Sequence, residues 1–281
     1  MKPTAIALSI LLLSATGAMA KPRLGVVSYW GGDTKNYWKI PDGSLALINP
    51  DSGIFKADGQ SEKLAADLDI YNDVFRRAQS HDIALYAYVP TGYFNHTCNT
   101  YGKCQTWERI EAQVRAYFKA MPRLTGIFFD ETAPANWSCD AYVAEYARLR
   151  TIVHTYRPEA KIIYNLGMPD ECAVTAAQAG EILVLFENSG QTYMQQSDKI
   201  DHATQAARAK GVGVWHMVNG VGIAAGMQQV VAAAAAHDPD FLYITDISGD
   251  WQAGYNTYGD LPAYWNAEVK AIADLPQNQE K

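Results

Sequence analysis

Apolar, β-branched and aromatic runs recur along this chain at residues 24–30, 44–50, 83–90, 124–131, 161–167, 181–188, 212–219 and 241–247. Each is nearly continuous rather than alternating, the pattern of strands buried on both faces. Helical patterns fill most of the intervals, most clearly at 71–80, 107–121, 142–156, 199–210, 227–237 and 264–273. In the second of these, Ile110, Val114, Tyr117 and Phe118 share one helical face, which should lie against the strands. Strand and helix in alternation imply right-handed crossovers and a parallel sheet. The expected fold is therefore α/β, a (β/α)8 barrel. Only residues 31–43 separate the first two runs, so the first outer helix is expected to be short or missing. A doubly wound open sheet is the architectural alternative, but no GxGxxG follows the first run to recommend it.

The N-terminus reads as a secretory signal. Lys2 supplies the positive charge, Ile6 to Leu13 the apolar core, and Ala18-Met19-Ala20 a small-x-small cleavage site before Lys21. No segment reaches the roughly 20 apolar residues of a membrane-spanning helix. The expected organisation is a signal peptide at 1–20, one barrel domain at 21–275 and a solvated tail at 276–281. Export to an extracellular or periplasmic space follows, with no membrane attachment after signal removal. A monomer is expected. The formal net charge of −7 argues against a nucleic-acid partner.

Four cysteines in an exported chain imply disulfides, and four allow three pairings. Cys98 and Cys104 lie close together in a polar segment and are paired locally, which leaves Cys139 with Cys172. No CxxC or Cys/His spacing suggests zinc, and no phosphate loop is visible, so neither a metal nor a cofactor is expected.

Two of the apolar runs stop on acids: Gly126-Ile127-Phe128-Phe129-Asp130-Glu131, and Leu183-Val184-Leu185-Phe186-Glu187. In a parallel barrel the C-terminal strand ends face the active site. Acids converging there from separate strands suit acid/base and nucleophilic chemistry. Adjacent residues of a regular strand point to opposite sides, so Asp130 and Glu131 reach one cleft only where the strand turns into its loop. Other strand ends contribute Asn165, His216 and Asp246. Asn49 and Ser52 are candidates for sugar hydroxyls, although Asn49-Pro50-Asp51-Ser52-Gly53 also reads as a turn. Aromatics crowd the same mouth: Tyr29, Trp30, Tyr88, Tyr93, Tyr164, Trp215, Trp251 and Tyr255. Flat rings with polar edges suit the faces of sugars, and the same rings also serve as core filler. Trp137 and Trp251, in polar surroundings, are the better candidates for a glycan platform.

With these residues in place the chain resembles the spherulin 4 family and is similar to the enzymes of glycoside hydrolase family 135. The matching elements begin with Leu24-Gly25-Val26-Val27-Ser28-Tyr29-Trp30 and Ser44-Leu45-Ala46-Leu47-Ile48-Asn49-Pro50-Asp51-Ser52-Gly53. They continue with Tyr86-Ala87-Tyr88-Val89-Pro90-Thr91-Gly92-Tyr93 and the run ending in Asp130-Glu131. Ile163-Tyr164-Asn165-Leu166-Gly167, Phe186-Glu187-Asn188 and Tyr243-Ile244-Thr245-Asp246 complete the series. The resemblance implies a (β/α)8 barrel and endo-acting hydrolysis of α-1,4-linked N-acetylgalactosamine in an exopolysaccharide of the galactosaminogalactan type. It carries the family's acidic positions onto Asp130, Glu131 and Glu187, and it implies retention of configuration. The chain departs from the family pattern at Ala87, where the family usually has glycine, and at Leu166, where it has proline; both lie on the substrate-facing side, which bears on sugar specificity.

The expected protein is thus a secreted endo-glycosidase of amino-sugar polysaccharide. Asp130 is assigned as nucleophile, Glu187 as general acid/base and Glu131 as a sugar-binding or pKa-tuning group; the first two labels are exchangeable on sequence. Tyr29, Asn49, Tyr88, Tyr93, Asn165, His216, Asp246 and Trp251 are the expected substrate contacts. The rival readings are a non-catalytic glycan-binding matrix protein on the same barrel and a metal-dependent polysaccharide deacetylase.

Overall fold

A computed structural model describes residues 21–56, 62–95, 105–249 and 255–275. The expected signal peptide, the tail, Trp251 and the Cys98/Cys104 pair lie outside the described residues. Eight parallel strands form a closed barrel in sequence order. They are β1 (Arg23–Val26), β2 (Leu45–Ile48), β3 (Ala84–Pro90), β4 (Gly126–Asp130), β5 (Lys161–Asn165), β6 (Ile182–Ser189), β7 (Gly213–Asn219) and β8 (Phe241–Ile244). The ring closes where Arg23 pairs with Phe241 and Leu24 with Leu242. The outer helices are α1 (Asn72–Ser80), α2 (Trp107–Ala120), α3 (Cys139–Tyr156), α4 (Glu171–Ala176), α5 (Gly190–Gln195), α6 (Ser197–Ala209), α7 (Ala224–His237) and α8 (Trp265–Ala273). The barrel is the expected one. Between β1 and β2 there is only a 3-10 turn, Lys35–Lys39, in place of the first outer helix.

β1 is shorter than its apolar run. Beyond Val26 the side chain of Ser28 takes over the ladder: its Oγ donates to the Leu47 carbonyl at 2.6 Å and accepts from the Leu47 N–H at 2.8 Å. The chain is thereby freed to carry Tyr29 into the mouth. At the other side of the seam, the Ile244 N–H finds its acceptor in Glu268 of α8 at 2.8 Å. Burial pushes the Glu268 carboxyl well above the usual carboxylate range.

Alternation along each strand sorts the core into two shells. On β4, Phe128 points inward and meets Tyr88 and Trp215 at ring-centroid distances of 5.9 and 5.8 Å. Phe129 points outward onto Tyr164, which stacks on Tyr146 of α3 at 4.0 Å. Gly25 is required by this filling, because a Cβ there would fall 2.7 Å from the Trp215 indole. Helix starts are fixed by short polar caps. Thr106 Oγ1 accepts from the Arg109 N–H at 3.3 Å to start α2, and Ser138 Oγ from the Ala141 N–H at 3.2 Å to start α3. Ile110, Val114, Tyr117 and Phe118 of α2 are all buried, as their spacing predicts.

Two cross-links tie neighbouring βα units together. Cys139 and Cys172 form a disulfide between the start of α3 and α4, the pairing expected for them. Below it, Glu181 accepts from Arg150 Nε at 2.7 Å and Nη2 at 2.9 Å, from the Tyr164 hydroxyl at 3.0 Å and from the Gln178 N–H at 2.7 Å.

Candidate active site

The register of β6 decides what stands at the mouth. Val184 pairs with Trp215 but Phe186 pairs with His216, so Leu185 is an extra residue in the strand. Such a bulge reverses the phase of alternation beyond it. Val184 therefore shares the inward face with Trp215. Phe186 turns outward onto Tyr193, at 4.8 Å between ring centroids. Glu187 then turns inward, beside Met217 on β7. Without the bulge, Phe186 would enter the barrel and Glu187 would face the helices.

Inside the mouth, Glu187 meets Asp130 through one shared amide. Asn165 Nδ2 donates to Asp130 Oδ1 at 2.7 Å and to Glu187 Oε2 at 2.6 Å. The two oxygens lie no farther apart than the sum of those distances, about 5.3 Å. Asp130 is further held by the Tyr88 hydroxyl, which donates to Oδ2 at 2.6 Å, and by the Glu131 N–H, which donates to Oδ1 at 2.9 Å. The hydroxyl of Tyr258 faces Glu187, with Asn219 beside it. The Tyr29 ring completes the wall, edge-on to Tyr88 at 5.1 Å and to Tyr258 at 5.5 Å.

These surroundings treat the two acids differently. Burial raises the Asp130 carboxyl, against three hydrogen bonds from Tyr88, Glu131 and Asn165 that favour its anion. Burial and then the charge of Asp130 push Glu187 up to about 7, with Asn165 and Tyr258 opposing. Neighbouring carboxyls that share one site do not both ionise readily, so one of the pair carries a proton. Glu187, at about 7, is poised to give or take a proton near neutral pH, beside an Asp130 whose anion is the better supplied with donors.

Glu131 has left this pair. Its φ of +59° takes it out of the strand, and its Oε2 accepts the Gly92 N–H at 3.0 Å. Its carbonyl accepts the Tyr93 N–H at 3.1 Å and lies 2.7 Å from the Thr91 hydroxyl. Gly92, Tyr93 and Phe94 are all left-handed, with φ of 63°, 54° and 55°. Two of the three are not glycine, and each such residue costs about 1–2 kcal/mol. The bonds to Glu131 help to hold that turn, and Tyr93 is presented at the rim with 49 % of its surface exposed. Trp137 and Tyr255 are exposed on the loops that follow β4 and β8, at the same end of the barrel.

Several expected contacts lie elsewhere. His216 is fully buried and faces outward, sharing hydrogen bonds with the Tyr193 hydroxyl at 2.9 Å and Thr204 at 3.3 Å. It stands one residue after inward-facing Trp215, and strand alternation keeps it out of the cleft. Asn49 is a turn residue, its Oδ1 accepting the Gly53 N–H at 3.0 Å. Asp246 accepts the Ala263 N–H at 3.1 Å and so anchors the loop after β8. Tyr164 belongs to the outer shell and Trp215 to the barrel interior, while Trp30 is buried against Tyr37 at 4.9 Å. Tyr29, Tyr88, Asn165, Asp130 and Glu187 are brought together. Asn219 and Tyr258 were missed by the sequence reading. Asn219 ends a strand, the same signal that picked out Asn165; Tyr258 sits in a polar loop that carries no such signal.

Among the described residues, no three His, Cys, Asp or Glu side chains are grouped so as to hold a metal ion. A hollow of about 490 Å³ opens at the opposite, N-terminal end of the barrel, lined by Arg23, Tyr86, Lys161 and Phe241 among others. Two of its acids, Glu181 and Asp240, are ion-paired to Arg150 and Arg208. The paired carboxyls lie at the other end, in the C-terminal mouth.

Solved structures with the same architecture include Aspergillus clavatus Sph3 in complex with GalNAc, with a TM-score of 0.65 and 18% identity over 91% of this chain and 98% of that one. A Cellulomonas fimi endo-β-1,4-mannanase double mutant gives a TM-score of 0.56 and 14% identity, covering 90% of this chain and 71% of the mannanase. A chitinase from Chromobacterium violaceum gives 0.53 and 13%, covering 90% and 100%. No curated protein sequence matches the chain. The molecule is thus a (β/α)8 barrel, the architecture that these structures share. More narrowly, the chain belongs to the spherulin 4 family: the family described as spherulation-specific family 4 matches residues 30–272.

Proposed function

We propose that this protein is a secreted endo-acting glycoside hydrolase that cleaves α-1,4-linked N-acetylgalactosamine or galactosamine units in an exopolysaccharide, with retention. The observation that carries the reading is the tethered pair: Asp130 Oδ1 and Glu187 Oε2 lie within about 5.3 Å of each other on one shared amide, and burial raises both carboxyls, Glu187 to about 7. Retaining glycosidases hold their carboxyls roughly 5–5.5 Å apart, whereas inverting ones need about 6.5–9.5 Å to admit a water. The sugar assignment is supported by family membership and by the GalNAc held in the Sph3 structure.

In the first step an Asp130 oxygen bonds to the anomeric carbon as the glycosidic C–O bond breaks. Glu187 gives its proton to the departing oxygen. In the second, Glu187 takes a proton from water, the water oxygen bonds to the anomeric carbon, and the bond to Asp130 breaks. The aromatic rim of Tyr93, Trp137 and Tyr255 gives a polymer flat surfaces to lie on. Among the described residues no helix is long and apolar enough to cross a membrane. The signal at 1–20 and the disulfide at Cys139 and Cys172 both suit an exported chain.

The test is mass spectrometry of products from defined α-1,4-linked N-acetylgalactosamine and galactosamine oligomers, with proton NMR reading the first-formed anomer. Internal cleavage giving α products is expected, and Asp130→Asn and Glu187→Gln should each abolish it. Binding of oligomers without any product would turn the reading towards a glycan-binding protein.

A further inference from the structure

Asn165 is placed where a sugar contact is expected, yet its chemistry is already spent. It ends β5 between the strands that carry Asp130 and Glu187, and only 3% of its surface is exposed. A side-chain amide has two N–H groups, and each of them bonds a carboxylate, Asp130 at 2.7 Å and Glu187 at 2.6 Å. Its Oδ1 is buried with no partner among the described residues. A substrate hydroxyl would therefore find no free donor on this side chain.

We propose that Asn165 is a positioning residue, a neutral clamp that sets the spacing of the two acids and aims both at one glycosidic bond. The proposal rests on the hydrolase reading above and assigns this residue's part in it. A neutral donor suits the task for a reason of charge. The groups that act on the pair are each other, Tyr88, the Glu131 amide, Tyr258 and Asn165, with Tyr29 as wall. A lysine or arginine in place of the amide would hold both acids ionised and remove the proton that the departing sugar needs. The amide orders two carboxyls without demanding that both carry charge. Its own position is fixed by pairing with Val184 of β6.

The test is Asn165→Ala and the isosteric Asn165→Asp, assayed on the oligomer that the wild type cleaves. A clamp predicts that kcat falls about a hundredfold with KM changed less than about twofold, because geometry and not binding is lost. It also predicts that the alkaline limb of kcat/KM moves up by about one pH unit in Asn165→Ala, since an N–H that favoured ionised Glu187 is gone. Asn165→Asp preserves the packing and places a third acid against the other two, so its neutral-pH loss should exceed that of alanine. A carbon-13 titration of the Glu187 carboxyl in wild type and Asn165→Ala, which needs no turnover, should show the same upward shift. A raised KM with kcat preserved, an unmoved carboxyl titration, or a milder loss in Asn165→Asp than in Asn165→Ala would each overturn the clamp. Failure of the wild type to cleave, or activity in Asp130→Asn, would instead overturn the hydrolase reading.

Discussion

Val184 and Phe186 stand two residues apart on β6 and face opposite sides of the barrel wall. One meets Trp215 of the interior, the other Tyr193 of the helical shell, and the insertion of Leu185 between them is the cause. The consequence falls one residue later, on Glu187. Its side chain is aimed across the mouth at Asp130 only because the strand has lost step with its own alternation.

The Glu187 environment has a cost in stability that should be visible. A carboxyl raised from 4.5 to about 7 holds its proton more tightly in the folded chain than in the unfolded one. Stability is then lost as pH rises from about 4.5 to 7 and stays lost above. Glu187→Gln removes the charge and keeps an acceptor for Asn165. It should raise stability at pH 8 by about 1–3 kcal/mol and leave it nearly unchanged at pH 4, as read by urea unfolding at the two pH values.

Tyr88 acts on the other acid. Tyr88→Phe deletes the 2.6 Å bond to Asp130 Oδ2 while leaving the ring against Phe128. Loss of a donor to the anion raises the Asp130 pKa, so the acidic limb of kcat/KM should move to higher pH and the active window should narrow. A charged hydrogen bond of this kind is worth about 1.5–3 kcal/mol. A drop in kcat/KM of roughly tenfold or more at neutral pH is expected from steady-state kinetics.

Tyr258→Phe addresses the side of Glu187 that Asn165 does not touch. The ring keeps its contacts with Tyr29 and Tyr243, and only the hydroxyl facing Glu187 is removed. The alkaline limb should move up, because that hydroxyl favours the ionised form. An aryl glycoside whose phenol leaves without protonation should lose less than the natural linkage, a difference that initial rates on the two substrates measure.

The cross-link beneath the site is a stability element. Glu181 gathers Arg150, Tyr164 and the Gln178 N–H in a setting where its side chain is 9% exposed. Glu181→Ala leaves Arg150 without its partner and should cost about 3–5 kcal/mol, the usual penalty for breaking a buried pair from one side. Denaturant unfolding measures it, and the loss should exceed that of removing the exposed partner in the Lys270 and Asp274 pair.

Asp130 and Glu187 were legible in the sequence because an apolar run that stops on an acid announces the end of a buried strand. Asn165 was legible by the same rule, but its two bonds cross 35 and 22 residues of chain to their partners. Nothing local marks them. His216 obeyed the rule and was misplaced by it, since it stands one residue beyond Trp215 and alternation sends it outward. Glu131 turned aside because a residue at φ +59° is no longer part of the strand pattern that singled it out.

What the amino-acid order by itself determined is the ring of strands, the helices around it and the presence of acids at its rim, because hydrophobic period and helix caps are local properties. Only the tertiary structure decided which acids face each other. The bulge at Leu185 sits inside an unbroken apolar stretch, where leucine and phenylalanine look alike whichever way they point. Its phase is set by register against β7, and with it the direction of the one side chain on which the proposed chemistry depends.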